Sequence, residues 1–164
     1  MQNSHRTVEK PEKVSVVIPV YNGGKAFQHC LNSLSLASPA PDEIIVVDDG
    51  STDESALVAR RLGIEVLSTS GRMGPAEARN IGAKHAKGQI LFFVDADCSV
   101  KPDAIQQIHA ILEEDPQVDA IVGSYDDAPS ANGLLSQQEP VASLHASIQR
   151  PVRLYLLGGM WRNS

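Results

Sequence analysis

Four short apolar runs, each emptying into a loop of Gly, Asp, Asn, Ser or Thr, constrain this chain more than any other feature. They are Val14-Ser-Val-Val-Ile-Pro-Val20, Glu43-Ile-Ile-Val-Val47, Ile64 to Leu67 and Gln89-Ile-Leu-Phe-Phe-Val94. Such β-branched runs, with little polar alternation, are the pattern of strands buried on both faces of a parallel sheet. Helical segments separate them. The first, about Lys25 to Leu36, places Phe27, Cys30, Leu31 and Leu34 on one face and ends in the Pro39/Pro41 loop. The next, about Glu54 to Leu62, is closed by Gly63, and Ser51 or Thr52 is expected to cap its start. A third runs from about Ala76 to Ala86 with Pro75 in its first turn and Gly88 as its stop, and a fourth from about Pro102 to Glu114. Val118 to Val122 makes a fifth strand. This alternation predicts an α/β fold: an open, mainly parallel sheet flanked by helices, with right-handed crossovers. Ligands of such sheets bind beyond the carboxyl ends of the strands, so the loops 21–24, 48–53 and 95–97 are expected to carry function.

Past Ser124 the pattern degrades: Tyr125-Asp-Asp-Ala-Pro129 reads as a turn and Pro140 to Gln149 as one short helix. No internal repeat or low-complexity segment interrupts the chain. A length of 164 residues therefore accommodates about one domain. It divides into a polar leader over 1–13, an α/β domain over 14–125 and a less regular region over 126–164.

Composition narrows the partners. A formal charge of −6 and an aromatic content of 4% deny the chain the basic field and stacking platforms of nucleic-acid binders. A phosphorylated ligand would need a metal or local backbone donors to approach so acidic a protein. Cys30 and Cys98 stand far apart, without CxxC or zinc spacing, and read as free thiols of a reducing compartment. The leader has no apolar stretch of signal-peptide type, and no run reaches the length of a membrane span. The expectation is a cytoplasmic protein.

Three constellations could carry chemistry. Asp95-Ala96-Asp97 ends the fourth strand; in an extended segment residues two apart point the same way, so both carboxylates could face one Mg²⁺ or Mn²⁺, with Ala96 keeping the other side small. Alternatively one aspartate caps the following turn. Asp48-Asp49-Gly50-Ser51-Thr52-Asp53 offers carboxylates to a base or ribose, with Gly50 allowing a close turn; the competing view is an acidic helix start, favoured for Asp53. The Gly71–Gly74 loop opens a helix whose N–H groups could meet an anion, while Arg79, inside that helix, either touches phosphate or braces Asp95 or Asp97. Tyr21 could stack on a flat base, with Pro19 and Asn22 setting the turn, or be a core tyrosine. His29, His85, His109 and His145 share no metal spacing.

Taken together, Val16-Val-Ile-Pro-Val-Tyr-Asn22, Ile44-Ile-Val-Val-Asp-Asp-Gly-Ser-Thr-Asp53, Gly74 through Ala78-Arg-Asn-Ile-Gly82 and Phe92-Phe-Val-Asp-Ala-Asp97 resemble the family-2 glycosyltransferases. One such motif is weak; four in the family's order, over roughly residues 14 to 125, are specific. The resemblance implies an inverting enzyme with a Rossmann-like nucleotide-diphospho-sugar transferase fold, of which this chain is the donor-binding portion. It implies that Tyr21 stacks near the nucleobase of a UDP- or GDP-sugar, that Asp49 hydrogen-bonds the base edge, and that Asp48 and Arg79 stand close to ribose or phosphate. Asp97, with Asp95 on the ribose side, would hold a Mg²⁺ or Mn²⁺ bridging the diphosphate.

The family's acceptor-side acid and late Gln/Arg/Trp segment have no identifiable counterpart. Asp126, Asp127 and His145 are conceivable bases, and Gly158-Gly-Met-Trp-Arg162 lies at the wrong spacing to be carried over. The 126–164 region thus reads as the truncated start of an acceptor side, and the acceptor is not specified. A non-catalytic nucleotide-sugar-binding module or an inactive fragment is the alternative. A phospho-acceptor receiver domain fits less well, because its acidic pair would follow the first strand, where this chain has Tyr21 and Asn22. Unburied apolar surface on an incomplete sheet would favour a homodimer or a neighbouring domain.

Overall fold

The computed structural model describes residues 11–123 and 153–157. In chain order these form β1 (Val14–Val20), α1 (Gly24–Ser35), β2 (Glu43–Asp48), α2 (Ser55–Arg61), β3 (Glu65–Ser68), α3 (Pro75–His85), β4 (Ile90–Val94), α4 (Ala104–Glu114), β5 (Ala120–Gly123) and β6 (Arg153–Leu157). One sheet collects the strands in the order β3-β2-β1-β4-β6-β5, every neighbouring pair parallel. The expected open parallel α/β sheet is therefore the architecture observed.

The period-two geometry of a strand sorts β1 onto two faces. Val14, Val16, Ile18 and Val20 pack with Phe27, Cys30, Leu31 and Leu34 of α1 and with Ile105, Ile108 and Leu112 of α4. Val17 points the other way and joins Ile45, Val47, Leu91 and Phe93 beneath α3. All seven β1 residues are buried, which is why this run carries no polar alternation. Ser15, the polar exception, receives the Gly88 N–H and donates its hydroxyl to Glu43. Pro19 sits in this strand without breaking the sheet, because β4 pairs with β1 only along Val14–Val17 and asks for no N–H beyond it.

Helix α3 rests on the sheet through small residues, Ala78, Gly82 and Ala83. A methyl group on Gly82 would stand 2.3 Å from Val17 Cγ1 and 3.1 Å from Val47 Cγ2, so the helix axis can lie this near only with glycine there. This approach fixes Arg79, one turn earlier, over the ends of the central strands.

The chain order reverses across β1: β2 and β3 are added on one side, then α3 carries the chain back to β4 on the other. The crevice at such a switch lies between the carboxyl ends of β1 and β4. Two sequence expectations are corrected. Strand β6 was not foreseen, since it follows an aperiodic stretch and Pro151 rather than a helix of legible period. Helix α2 is capped at Glu54 without a side-chain bond, because Ser51 and Thr52 are engaged elsewhere. The expected turn at 125–129, the helix at 140–149, the bases Asp126, Asp127 and His145, and most of the leader lie outside the described residues.

Candidate active site at the carboxyl ends of the strands

The loop after β1 is latched to the loop after β2 by side chains. Asn22 adopts φ 50°, a left-handed conformation that asparagine tolerates better than most residues. Its amide oxygen accepts the N–H of Thr52 at 2.7 Å and of Asp53 at 3.3 Å, while its own N–H donates to Ser51 Oγ at 2.9 Å. Ser55 Oγ accepts the Gly23 N–H at 3.0 Å, and Asp53 Oδ2 the Gly24 N–H at 3.0 Å. Asp53 thus clips two loops together rather than merely charging a helix start. Burial pushes its carboxyl pKa up, but the Ser55 and Gly24 donors outweigh this and hold it below the ordinary value. Asp48, 8% exposed, accepts the Ser51 N–H at 3.0 Å and closes its own turn.

Asp49 performs the same service for the β3–α3 loop. Its side chain is 3% exposed; Oδ1 accepts Thr69 Oγ1–H at 3.0 Å and Met73 N–H at 2.7 Å, and Oδ2 accepts Gly74 N–H at 2.8 Å. Burial raises the pKa, yet the Met73, Gly74 and Thr69 bonds and the nearby Arg72 charge bring it below the usual carboxylate range. The loop N–H groups expected to meet an external anion therefore hold the chain's own carboxylate. A carboxylate offers about four acceptor sites, so Asp49 retains capacity for one further donor. Gly50, at φ 81°, lets the chain turn directly beneath this loop: a Cβ there would lie 3.3 Å from Arg72 N.

Tyr21 is 40% exposed, which overturns the core-tyrosine alternative. The Arg72 guanidinium carbon lies over its ring, 4.2 Å from the centroid. Sequence reasoning singled out neither Arg72 nor Thr69. A cation and a hydroxyl in the loop following β3, facing an acidic turn after β2, were the available signal.

At the end of β4 the segment turns at once: Cys98 N–H donates to the Asp95 carbonyl at 3.0 Å. Asp95, Ala96 and Asp97 thus form a turn rather than the extended run expected from the sequence. Nor does an aspartate side chain close the turn, since the acceptor is backbone. Asp95 is half-buried and ion-paired with Arg79, so the bracing role is the one observed. Asp97 is exposed, with Cys98 Sγ 3.6 Å from its Oδ1. On α3, Arg79 Nε and Asn80 Oδ1 are buried without a hydrogen-bond partner.

The donor chemistry here fits a hard divalent cation. Asp97 presents an exposed carboxylate and Asp95 has one oxygen outside the Arg79 pair, while no group of three metal-ligating side chains occurs among the described residues. Mg²⁺ is commonly held by one or two carboxylates plus the phosphates of its substrate, which is the shell such a pair would leave to be completed. Cys30 and Cys98 are both buried, and neither is joined in a disulfide. Burial, with the neighbouring Cys98, Asp97 and Asp95, pushes the Cys30 thiol up to about 12, which favours the neutral thiol over the thiolate.

Three loops latched around an exposed aromatic ring at a topological switch mark the crevice in which ligands of open α/β sheets bind. The model of Glycosyl transferase family 2 matches residues 15–158, and the chain belongs to that family. It is 34% identical over 127 residues to glycosyltransferase GlyG of Streptococcus pneumoniae, covering 74% of this chain and 42% of that protein. Among solved structures it superposes on S. aureus TarS 1–349 in complex with UDP-GlcNAc with a TM-score of 0.64 and 25% identity, covering 76% of this chain and 38% of that one. Mannosyltransferase PcManGT from Pyrobaculum calidifontis, in complex with GDP-Man and Mn²⁺, gives a TM-score of 0.61 and 25% identity over 71% of this chain and 36% of that one. The chain thus spans less than half the length of these relatives. No helix among the described residues is long and apolar enough to cross a membrane.

Proposed function

We propose that this chain is the donor-binding part of a metal-assisted glycosyltransferase that transfers a sugar, with inversion, from a UDP- or GDP-sugar to an acceptor. The observation that carries this is the joining of the β1, β2 and β3–α3 loops into one surface by the Asn22 and Asp49 hydrogen bonds, with Asp97 exposed in the turn after β4. The complexes of TarS with UDP-GlcNAc and of PcManGT with GDP-Man and Mn²⁺ support the donor class.

In this reading the Tyr21 ring stacks on the base and the remaining acceptor capacity of Asp49 takes a donor from the base edge. Asn22 and Pro19 hold the ring at the strand end, and Asp48 keeps the turn beneath the ribose closed. Arg79 fixes the Asp95 carboxylate, whose second oxygen faces ribose or metal. Asp97, with Asp95, would hold Mg²⁺ or Mn²⁺, which supplies charge neutralisation for the diphosphate as it leaves. The acidity of the chain suits that arrangement, because carboxylates repel a diphosphate that arrives without a cation.

Calorimetric titration with UDP and GDP, with and without Mn²⁺, tests the proposal. Binding that requires Mn²⁺ and disappears in Asp97→Ala, with the thermal unfolding of the variant unchanged, is the expected result. Equal affinity with and without the metal, or in the variant, would remove the metal role.

A further inference from the structure

Two observations converge on Arg72. Its guanidinium covers one face of the exposed Tyr21 ring, at 4.2 Å from the centroid. Its backbone, by contrast, is anchored: Gly50 passes beneath it within a Cβ length of contact, and the next two N–H groups of the loop are held by the Asp49 carboxylate. Among the described residues no carboxylate is ion-paired with Arg72 within 4 Å, although the Asp49 carboxylate feels its charge. A fixed backbone carrying a long, exposed, planar cation is a hinge whose moving part is the side chain alone.

We propose that Arg72 is a placeholder for the nucleobase: its guanidinium occupies the stacking face of Tyr21 in the free protein, and on donor binding it yields that face and becomes the outer wall of a Tyr21–base–Arg72 sandwich. This rests on the donor-site reading above. A guanidinium in van der Waals contact with the ring leaves no room for a base on the same face, so the two must exchange. Stacked layers lie roughly 3.5 Å apart, so the guanidinium has to retreat by about 3 Å, a distance its rotatable stem covers without moving the loop. The exchange preserves what each group needs, because the ring keeps a planar partner and the cation keeps a π-face. The anchoring by Asp49 and Gly50 keeps the root of that wall fixed beside the ring, which makes Arg72 a positioning residue for the base rather than a phosphate ligand.

The test compares uridine with UDP, and guanosine with GDP, in the presence of Mg²⁺, by NMR titration of the unsubstituted chain, Arg72→Ala, Arg72→Lys and Tyr21→Ala. Loss of the outer wall should weaken nucleoside and nucleoside diphosphate by the same factor, roughly 2- to 30-fold. Arg72→Lys should not restore it, since an ammonium has no planar face. In a Tyr21→Ala background the Arg72→Ala change should have a smaller effect, because the sandwich is already broken. Loss for the diphosphates alone would make Arg72 a phosphate ligand and overturn the proposal; tighter nucleoside binding in Arg72→Ala would make it a mere obstruction and overturn it too. Nucleotide binding that is normal in both Arg72 variants defeats this inference while leaving the donor site standing. Failure of the unsubstituted chain to bind any of the four ligands defeats both.

Discussion

The two ends of the sheet use the same device to different effect. At the amino end, Glu43 accepts the Ser15 hydroxyl and the Lys87 N–H, and its carboxyl is held below the ordinary range by those bonds against the opposing effect of burial. At the carboxyl end, Asp49 accepts three donors and is held low in the same way. The amino end has a hollow as well, about 460 Å³ lined by Lys13, Asp42, Glu43, Glu65 and Lys87 among others. What it lacks is an aromatic ring and a place where the chain order reverses. The difference teaches that a hollow and a set of charges do not locate a site in a parallel sheet; strand direction does, because helix starts and strand-end loops converge only at the carboxyl ends.

That contrast breaks most visibly on nucleotide affinity. Asp97→Ala should lower Mn²⁺-dependent UDP or GDP affinity by about 100-fold or more, the scale of losing a hydrogen-bonded charged ligand, whereas Glu65→Ala at the rim of the amino-end hollow should leave it unchanged. Titration calorimetry of the two variants side by side decides the matter. Stability should separate the ends next. Asp49→Asn sets an amide NH₂ against the Met73 or Gly74 N–H, since both carboxylate oxygens are in use, and should cost about 1–3 kcal/mol in urea unfolding. Glu43→Gln can keep an oxygen where Ser15 and Lys87 donate and should cost less than about 1 kcal/mol. Equal losses would mean that the two carboxylates are not used differently.

Tyr21→Ala should weaken nucleotide binding by about 1–3 kcal/mol, the range for one base on one aromatic ring, with no loss of fold, as the ring is not part of the core. The smallest effect per group is that of pH. Glu43, Asp49 and Asp53 all have folded-state carboxyl pKa values below their ordinary ones. The unfolded chain therefore binds protons first, so their stabilisation is complete above the ordinary carboxylate range, around pH 4, and is lost as pH falls through the depressed values. Thermal unfolding between pH 7 and pH 2.5 should show a plateau and then a fall, shallower in Asp49→Asn than in the unsubstituted chain. An unchanged acid slope in that variant would show that Asp49 does not contribute.

Elements with internal period were legible in the sequence. The burial of Phe27, Cys30, Leu31 and Leu34 in α1 follows from helical spacing, and the parallel sheet follows from runs such as Val14–Val20 that have no polar face. The loops that matter were legible as places but not as geometries. Asp95 and Asp97 stand two apart in both readings, yet an i to i+3 backbone bond turns the segment and sends one carboxylate to Arg79 and the other to solvent. Thr69 and Arg72 escaped notice because their partners, Asp49 and Tyr21, are 20 or more residues away and in the loops after other strands. Side-chain bonds across loops leave no periodicity, and the same holds for β6, whose neighbours in the sheet precede it by more than 30 residues of chain.

The most direct measurement is a ¹⁵N-labelled NMR titration of the chain with UDP, and then GDP, in Mg²⁺. Amides of 20–24, 48–53, 69–80 and 95–98 are expected to shift together along one saturable curve while those of 12–14, 42–44, 63–65 and 87–89 stay in place. Shifts confined to the second set would put the ligand at the amino end and contradict the donor site assigned here.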